Sequence, residues 1–174
     1  MTILETERLT LRQLTLDDAE FILGLLNEPS WLQFIGDKNV RTLDDARAYL
    51  VNGPQKMYRE HGFGLWLVVV KETAVPAGMC GLIKRPTLDD IDIGFAFLPR
   101  FWGRGYAHEA AVATLAYARN VVKPKRIVAL TALDNPRSIR LLGKLGLTFE
   151  RIVRLTPDGP ESRLFATAPS TPTA

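Results

Sequence analysis

The sequence RFWGRGYAHEA at residues 100–110 decides how this chain is interpreted. It places Gly103 and Gly105 one residue apart, flanks them with Arg100 and Arg104, and then continues into alanine-rich sequence. Glycine lacks a Cβ, so the backbone N–H groups of such a loop can approach a ligand closely. The free N–H groups and the dipole at a helix N-terminus also favour negative charge. The stretch therefore predicts a loop that binds an anion and starts a helix.

Two common phosphate-binding loops do not fit this stretch. A dinucleotide fingerprint needs a third glycine or alanine at the position of His108. A P-loop needs a Gly-Lys-Ser/Thr triplet, which the chain lacks. A tight turn without a ligand is the alternative that the two glycines alone leave open, so the function depends on what surrounds the loop.

The composition predicts one soluble, cytoplasmic domain. The 174 residues include 47% apolar and 24% charged residues, which is ordinary for a globular protein. One cysteine, Cys80, and two histidines fit a reducing compartment and argue against a disulfide framework or a metal site. The N-terminus is too charged for a secretory signal, and no apolar run reaches the ~18 residues of a membrane span. The charges, which sum to +3, are too scattered to predict a nucleic-acid partner.

Hydrophobic periodicity predicts seven strands and four helices in the order β-α-α-β-β-β-α-β-α-β-β. The strands are expected at residues 8–14, 63–71, 77–84, 91–99, 126–133, 147–155 and 161–166, and the helices at residues 15–27, 42–60, 105–119 and 135–146. The β-loop-α-β unit around the glycine loop is the one place where a parallel pair is natural. The pattern predicts a mixed α/β fold with a mostly antiparallel central sheet. It fills one domain at residues 1–166, followed by a flexible tail at residues 167–174.

The glycine loop with its flanks resembles the Arg/Gln-x-x-Gly-x-Gly/Ala signature of the GNAT acyltransferase superfamily. IGFAFLPRFWGRGYAHEA (93–110), NPRSIRLLGKLGL (135–147) and ETERLTLRQLTLDDAEFI (5–22) are similar to the branch containing ribosomal-protein N-terminal acetyltransferases. The resemblance spans about residues 5–166. It implies a single-domain GNAT fold, an N-acetyltransferase activity and acetyl-CoA as the co-substrate, without a metal.

The resemblance also implies which residues bind the cofactor. The glycine loop would hold the pyrophosphate, and backbone where the fourth strand splays from the fifth would bind the pantetheine arm. The expected cofactor residues are Phe97, Leu98, Arg100, Gly103, Arg104, Gly105, Tyr106, Ala107, Asn135 and Ser138. For Asn135, capping of its own helix is the alternative. Arg137, Arg140 and Lys144 either meet cofactor phosphate or form a solvated basic helix face.

Acetyl transfer to an amine needs a base for the amine, a donor for the carbonyl oxygen and a leaving thiolate. Asp92 is the first candidate base, and Glu109 is its rival. The alternatives are a solvated strand carboxylate for Asp92 and placement at the positive end of the helix dipole for Glu109. Many relatives protonate the thiolate with a tyrosine at the position of Leu142. Ser138 could assist the thiolate instead, or it is simply a serine in the first turn of a helix.

The sequence indicates the acceptor site less specifically than the cofactor site. By family analogy, the loop NEPSWLQFIGDKN (27–39) walls the acceptor pocket, with Trp31 and Phe34 as its apolar walls. Ordinary core positions are the alternative for these two residues. Glu28 and Asp37 could attract a cationic amine.

Together these features predict an acetyl-CoA-dependent N-acetyltransferase that acts by direct attack in a ternary complex. The acceptor is a primary amine, either a protein N-terminus or a small molecule, and the protein acts as a monomer or homodimer. The alternative is a non-catalytic acyl-CoA-binding sensor, which the missing tyrosine favours.

Overall fold

Alternating apolar residues build the strands of one mixed sheet in the computed structural model, which describes residues 1–169. The strands are β1 (Thr2–Glu5), β2 (Leu9–Arg12), β3 (Leu65–Val70), β4 (Val75–Lys84), β5 (Ile91–Phe97), β6 (Ile127–Ala132), β7 (Thr148–Arg154) and β8 (Glu161–Ala166). The helices are α1 (Ala19–Leu26), α2 (Pro29–Phe34), α3 (Leu43–Asn52), α4 (Pro54–His61), α5 (Tyr106–Tyr117) and α6 (Pro136–Lys144). No helix in this part of the chain is both long enough and apolar enough to cross a membrane.

The sheet has the strand order β1-β2-β3-β4-β5-β6-β8-β7. The predicted mostly antiparallel pairing is confirmed, because β3 pairs antiparallel with β4, and β7 pairs antiparallel with β8. The predicted parallel pair is also confirmed: β5 and β6, which flank α5, run parallel. The mixed α/β fold with a mostly antiparallel sheet is therefore the observed one. The predicted tail begins at residue 167 and residues 170–174 lie outside the described residues, so the domain boundary stays a prediction.

Three elements differ from the prediction, which had seven strands and four helices. Thr2–Glu5 forms an extra edge strand that pairs with β2 alone. Pro29–Phe34, expected as loop, forms the short helix α2, with Pro29 in its first turn. The single helix expected at residues 42–60 is two helices, because the chain turns at Gly53 and Pro54 starts α4. Proline lacks the N–H that a continuing helix needs, whereas it suits a first turn.

Helices cover both faces of the sheet. One buried cluster joins α5 and α6 to one face, with Trp66, Ile93 and Leu142 among its members. A second cluster joins α1, α2 and α3 to the other face, with Ile22 and Leu67 among its members. Side chains on either side of the central strands are therefore removed from water, including those that alternate with apolar residues in the sequence.

Cys80 lies in the centre of β4 and is 0% exposed. Its Sγ lies 3.4 Å from the Oγ1 of Thr114 on α5, which in turn donates to the carbonyl of Ala110. Burial raises the pKa of the Cys80 thiol to about 12, although the contact with Thr114 opposes the shift. The thiol is therefore an inert part of the core.

Gly78 lets β4 and β5 approach each other closely next to the glycine loop. It pairs with Phe97, the last residue of β5. A Cβ at position 78 would lie 2.2 Å from the carbonyl oxygen of Ala96 and 2.8 Å from the Cα of Phe97. Because both contacts are backbone, rotation of a side chain could not relieve them.

Candidate active site

The strand before the glycine loop diverges from its parallel neighbour. The ladder between β5 and β6 contains only Ile91 with Ile127 and Asp92 with Val128. Beyond this point β6 pairs only with β8, so the β6-facing edge of Ile93–Phe97 is unpaired. This opening is the splay that the family resemblance implies for the pantetheine arm. We call it the splay from here on.

Backbone groups at the end of β5 point alternately to β4 and into the splay. The Leu98 N–H donates to the Ala77 carbonyl of β4 at 2.9 Å, and the Leu98 carbonyl accepts from Phe101 N–H at 2.9 Å. Both backbone groups of Leu98 are thus already paired. The backbone N–H of Phe97 points to the opposite edge and is the better placed of the two predicted contacts for a cofactor amide.

The glycine loop has the conformation that its sequence requires. A 3₁₀ turn at Pro99–Phe101 is followed by Gly103 with φ of 72° and Gly105 with φ of 79°. These left-handed values favour glycine over any residue with a Cβ. Gly105 is the N-cap of α5, and no side chain caps this helix. The first amides of α5 are therefore available to an anion.

A cavity of about 750 Å³ connects the loop, the splay and α6. Of the predicted cofactor residues, it is lined by Phe97, Gly103, Gly105, Tyr106, Ala107, Asn135 and Ser138. Leu98, Arg100 and Arg104 are not among its lining residues. The three cations of α6, Arg137, Arg140 and Lys144, line the same cavity and give it positive charge. We call it the cofactor cavity.

The start of α6 supplies polar groups at the splay. Asn135 caps the helix, with its Oδ1 accepting the Ser138 N–H at 3.2 Å. The capping alternative for Asn135 is thus observed, and its cofactor contact stays a prediction. Ser138 uses its N–H rather than its hydroxyl in this contact, and it lines the cavities on both sides of the splay. Leu142, where many relatives have a tyrosine, is 1% exposed and part of the core.

Trp102 joins the loop to both neighbouring elements, a role that the sequence did not indicate. Its Nε1 donates to the Phe97 carbonyl at 2.9 Å. The guanidinium of Arg137 lies 4.4 Å from the centre of the Trp102 ring. This cation–π contact holds an α6 cation beside the glycine loop.

Glu109 faces the N-terminal segment and lines neither cavity. Its Oε1 accepts from Thr6 Oγ1 at 2.6 Å and from Arg8 N–H at 2.9 Å, and its Oε2 accepts from Arg8 Nε at 2.6 Å. Arg8 also donates to the Arg104 carbonyl at 2.9 Å and lies over the Tyr106 ring. Glu109 thus anchors the glycine loop through Arg8, and its predicted role as a base finds no support in this geometry.

We expect Glu109→Gln to lower the free energy of unfolding at pH 7 by about 1–2 kcal/mol. Burial alone would raise the pKa of Glu109, but hydrogen bonds from Thr6 and Arg8 outweigh it and hold the pKa below its ordinary value of 4.5. A carboxylate whose pKa is lower in the folded state stabilises that state at pH values above its unfolded-state pKa. This stabilisation is lost as the pH falls through the folded-state pKa. Urea unfolding should therefore show a difference between variant and wild type at pH 7 that shrinks below about pH 4.

Glu60→Gln is the matched control for this charge. The Glu60 carboxylate is about half exposed and lies 3.8 Å from Lys56 Nζ, so its loss should cost no more than about 0.5 kcal/mol. The proposed anchor would be contradicted if Glu109→Gln lowered the free energy of unfolding equally at every pH. It would also be contradicted if the variant were as stable as the wild type at pH 7.

Asp92 is 1% exposed, so the alternative of a solvated strand carboxylate is wrong. Its Oδ2 accepts from Arg85 Nε at 2.6 Å, and its Oδ1 has no hydrogen-bond partner among the described residues. Burial raises the pKa of Asp92 above its ordinary value, although Arg85 opposes the shift. Asp92 lines neither cavity. Its role as a base stays a prediction, and it would need a water to reach the reacting amine.

A second cavity of about 390 Å³ opens on the other side of the splay, beneath α2, α3 and α4. Trp31 and Phe34 line both cavities, and their role as walls of an acceptor pocket stays a prediction. Trp31 is also 6% exposed and donates to the Gly36 carbonyl. It therefore belongs to the core as well as to the wall. We call this space the acceptor cavity.

The charged residues of the acceptor cavity are not those expected from the sequence. Glu28 and Asp37 do not line it, and Asp37 is paired with Arg41. Its charged lining residues within the described chain are Lys38 and Arg85. Thr131, whose buried Oγ1 has no hydrogen-bond partner among residues 1–169, lines both cavities at the splay. The sequence does not indicate a role for these three residues, because none of them lies in a motif.

The described residues contain no group of three or more His, Cys, Asp or Glu side chains that could hold a metal ion. Near the loop, positive charge comes from Arg137, Arg140 and Lys144 and from the N-terminus of α5. Such a site suits an organic phosphate.

Two curated relatives cover most of the chain. It is 33% identical to the uncharacterized protein YkkB of Bacillus subtilis over 157 residues, 88% of this chain and 89% of YkkB. It is 29% identical to the uncharacterized N-acetyltransferase YoaA of the same species over 153 residues, 87% of this chain and 86% of YoaA.

Solved structures share the whole fold. An acetyltransferase from Agrobacterium tumefaciens has a TM-score of 0.81 at 25% identity, over 97% of this chain and 94% of that one. Ribosomal-protein-S5-alanine acetyltransferase from Vibrio fischeri has a TM-score of 0.80 at 16% identity over 100% of both chains, which shows the shared fold alone. The family model for the acetyltransferase (GNAT) domain matches residues 8–148. The glycine loop, the splay and this match together show that the chain belongs to the GNAT family of N-acetyltransferases.

Proposed function

We propose that this protein transfers the acetyl group of acetyl-CoA to a primary amine by direct attack in a ternary complex. The observation that carries the proposal is the meeting of two cavities at the splay. One contains the glycine loop and the α6 cations, and the other extends beneath α3 and α4. A thioester in the splay would thus face cofactor-binding groups on one side and an acceptor on the other.

The cofactor cavity supplies binding and orientation. The amides of Gly103–Ala107 would bind the diphosphate, assisted by Arg137 and Arg140. The pantetheine arm would follow the splay, where the Phe97 N–H and the Thr131 hydroxyl could bind its polar groups. A backbone N–H in this position would also stabilise the oxygen as negative charge develops on it.

The transfer itself exchanges one bond for another. The nitrogen lone pair of the neutral amine attacks the thioester carbonyl carbon and forms a C–N bond, and the C–S bond then breaks. The products are an N-acetylated amine and the coenzyme A thiolate, which takes up the proton that the nitrogen loses. Ser138 could pass this proton or donate to the thiolate. A thiol with a pKa of about 8.5 leaves tolerably without a dedicated acid, which suits Leu142 in place of a tyrosine.

We expect Ser138→Ala to lower kcat about tenfold, less than the loss of a dedicated general acid. Its affinity for acetyl-CoA should stay near the wild-type value, because the N–H that bonds Asn135 remains. Steady-state kinetics and a calorimetric titration with acetyl-CoA measure the two effects separately. Ser162→Ala, which changes another serine of the acceptor cavity, is the matched control. A wild-type kcat in Ser138→Ala would return Ser138 to a purely helical role.

An acceptor screen with acetyl-CoA tests the proposed function. The screen should cover peptides with free N-termini, lysine derivatives, amino sugars and small amines, with release of coenzyme A as the readout. We expect turnover with at least one class. Tight binding of acetyl-CoA without turnover of any amine would instead favour the non-catalytic acyl-CoA sensor. We further propose that the protein acts in the cytoplasm as a monomer or homodimer.

A further inference from the structure

The charged side chains that line the acceptor cavity are both cations. Lys38 lies in the loop after α2, and Arg85 directly follows β4. Both line the acceptor cavity, and neither lines the cofactor cavity. Of the described residues that line either cavity, none is an aspartate or glutamate. The cavity is therefore a poor site for a polycation and a suitable one for an anion.

Arg85 is held in a defined orientation by a buried carboxylate. Its Nε donates to Asp92 Oδ2 at 2.6 Å, and its side chain is 33% exposed. The Nε contact is the only hydrogen bond of the Arg85 side chain among residues 1–169. An arginine presents five N–H donors in a planar fork, so the two Nη groups remain for a ligand. Asp92 thus acts as a positioning residue for Arg85.

Lys38 has no hydrogen bond or ion pair within the described chain. Lys38 is exposed as a whole residue, but partial desolvation of its ammonium lowers its pKa, and the nearby charge of Arg85 lowers the pKa further. The two cations repel each other across the cavity, and an anion bound between them would offset this repulsion. The acidic side chains near this loop do not supply that anion, since Asp37 is occupied by Arg41.

The remaining walls are mostly apolar, with Thr131, Ser138 and Ser162 among the hydroxyl-bearing residues. Met57, Met79, Leu82 and Phe95 line the acceptor cavity together with Trp31 and Phe34. A volume of about 390 Å³ suits a small molecule. A ligand that fits both the two cations and the apolar walls has an apolar body and a negatively charged group.

We infer that the acceptor is a small primary amine with an apolar body and a carboxylate, and that Lys38 and Arg85 bind the carboxylate while the amine faces the splay. The inference rests on the proposed N-acetyltransferase function. It narrows the acceptor to amino acids and related amino carboxylates. Neutral amines of the same shape would lack the charge that the two cations bind.

Matched pairs of acceptors test this inference. Phenylalanine, leucine and methionine are each compared with the corresponding amide, with kcat/KM measured from the release of coenzyme A. We expect at least one amino acid to be favoured over its amide by about tenfold or more. The amide has the less basic amine, so the intrinsic chemistry favours the amide and works against the expected result. Equal or better turnover of all three amides would overturn the inference and leave the proposed function intact.

Charge variants separate recognition from folding. Lys38→Gln removes a cation that has no described partner, and it should raise KM for the favoured amino acid about tenfold with kcat nearly unchanged. KM for the amide should not change. Arg85→Lys keeps the charge beside Asp92 but loses the planar fork, and it should also raise KM for the amino acid. Lys56→Gln, on α4 and outside the cavity, is the control and should leave both KM values unchanged.

A binding measurement keeps the two proposals distinguishable if no amine is acetylated. The same amino acids are titrated by calorimetry into the complex of the protein with coenzyme A. Binding that Lys38→Gln weakens would support the carboxylate site even though the proposed activity failed. No binding, or equal binding to wild type and Lys38→Gln, would overturn the inference.

Discussion

Acetyl-CoA should bind Gly105→Leu at least about a hundredfold more weakly than it binds the wild-type protein. Gly105 has φ of 79° and lines the cofactor cavity at the first amides of α5. A leucine there would disfavour the left-handed conformation that presents the first amides of α5. Its Cβ would also lie 3.3 Å from the guanidinium of Arg8, which is hydrogen-bonded to the loop. Isothermal titration with acetyl-CoA measures the effect directly.

Gly62→Leu is the control that separates backbone strain from anion binding. Gly62 ends α4 with φ of 76°, and no atom lies within 4 Å of a Cβ built on it. Its substitution introduces similar strain, of about 1–2 kcal/mol, outside both cavities. We expect both variants to remain folded and only Gly105→Leu to lose the cofactor. Wild-type affinity in a folded Gly105→Leu would remove the proposed anion site.

The largest expected loss of stability comes from Gly78→Ala, at about 3 kcal/mol or more. A Cβ at position 78 would lie 2.2 Å from the Ala96 carbonyl oxygen. The only relief is a shift of β5 away from β4, which would also move the splay. Urea unfolding followed by tryptophan fluorescence, to which the buried Trp66 contributes, measures the loss.

Gly143→Ala supplies the comparison for this glycine. Gly143 lies within α6, and no atom lies within 4 Å of a Cβ built on it. Alanine favours helix over glycine by up to about 1 kcal/mol, so this variant should be as stable as the wild type or more so. Wild-type stability in Gly78→Ala would show that β4 and β5 can separate without cost.

Local chemistry explains what the sequence could predict. The capping boxes at Thr15 and Thr42 occur as their spacing indicates, each with the aspartate three residues later. The glycine loop and the cap at Asn135 are likewise encoded in a few consecutive residues. Features of this kind depend on neighbours in the chain, so a single sequence contains the information.

Contacts between distant segments of the chain explain which features the sequence could not predict. Glu109 looked like a favourable charge at a helix start, but its partners are Thr6 and Arg8, about a hundred positions away. Asp92 alternates with apolar residues, which is typical of a strand with one wet face. Here helices cover both faces, so the polar position is buried and needs Arg85 as a partner. The pattern of one strand does not show whether a second layer covers it.

The acceptor cavity illustrates the same limit. Lys38 and Arg85 lie 47 positions apart and in no motif, and only the tertiary fold brings both to the acceptor cavity. Helix α2 was itself missed, since six residues are too few for a periodic pattern. The insertion of β8 between β6 and β7 was also beyond reach, because strand order depends on packing rather than on composition.

The inert thiol of β4 has a practical consequence for oxidative chemistry. Turnover releases free coenzyme A, and its oxidised form could exchange into a mixed disulfide with an accessible protein cysteine. The only cysteine of the chain is 0% exposed, with its pKa raised to about 12, so almost no thiolate exists near neutral pH. The folded enzyme should therefore escape covalent capture by its own product. Any colour that a sulfhydryl reagent develops during the reaction then reports coenzyme A alone.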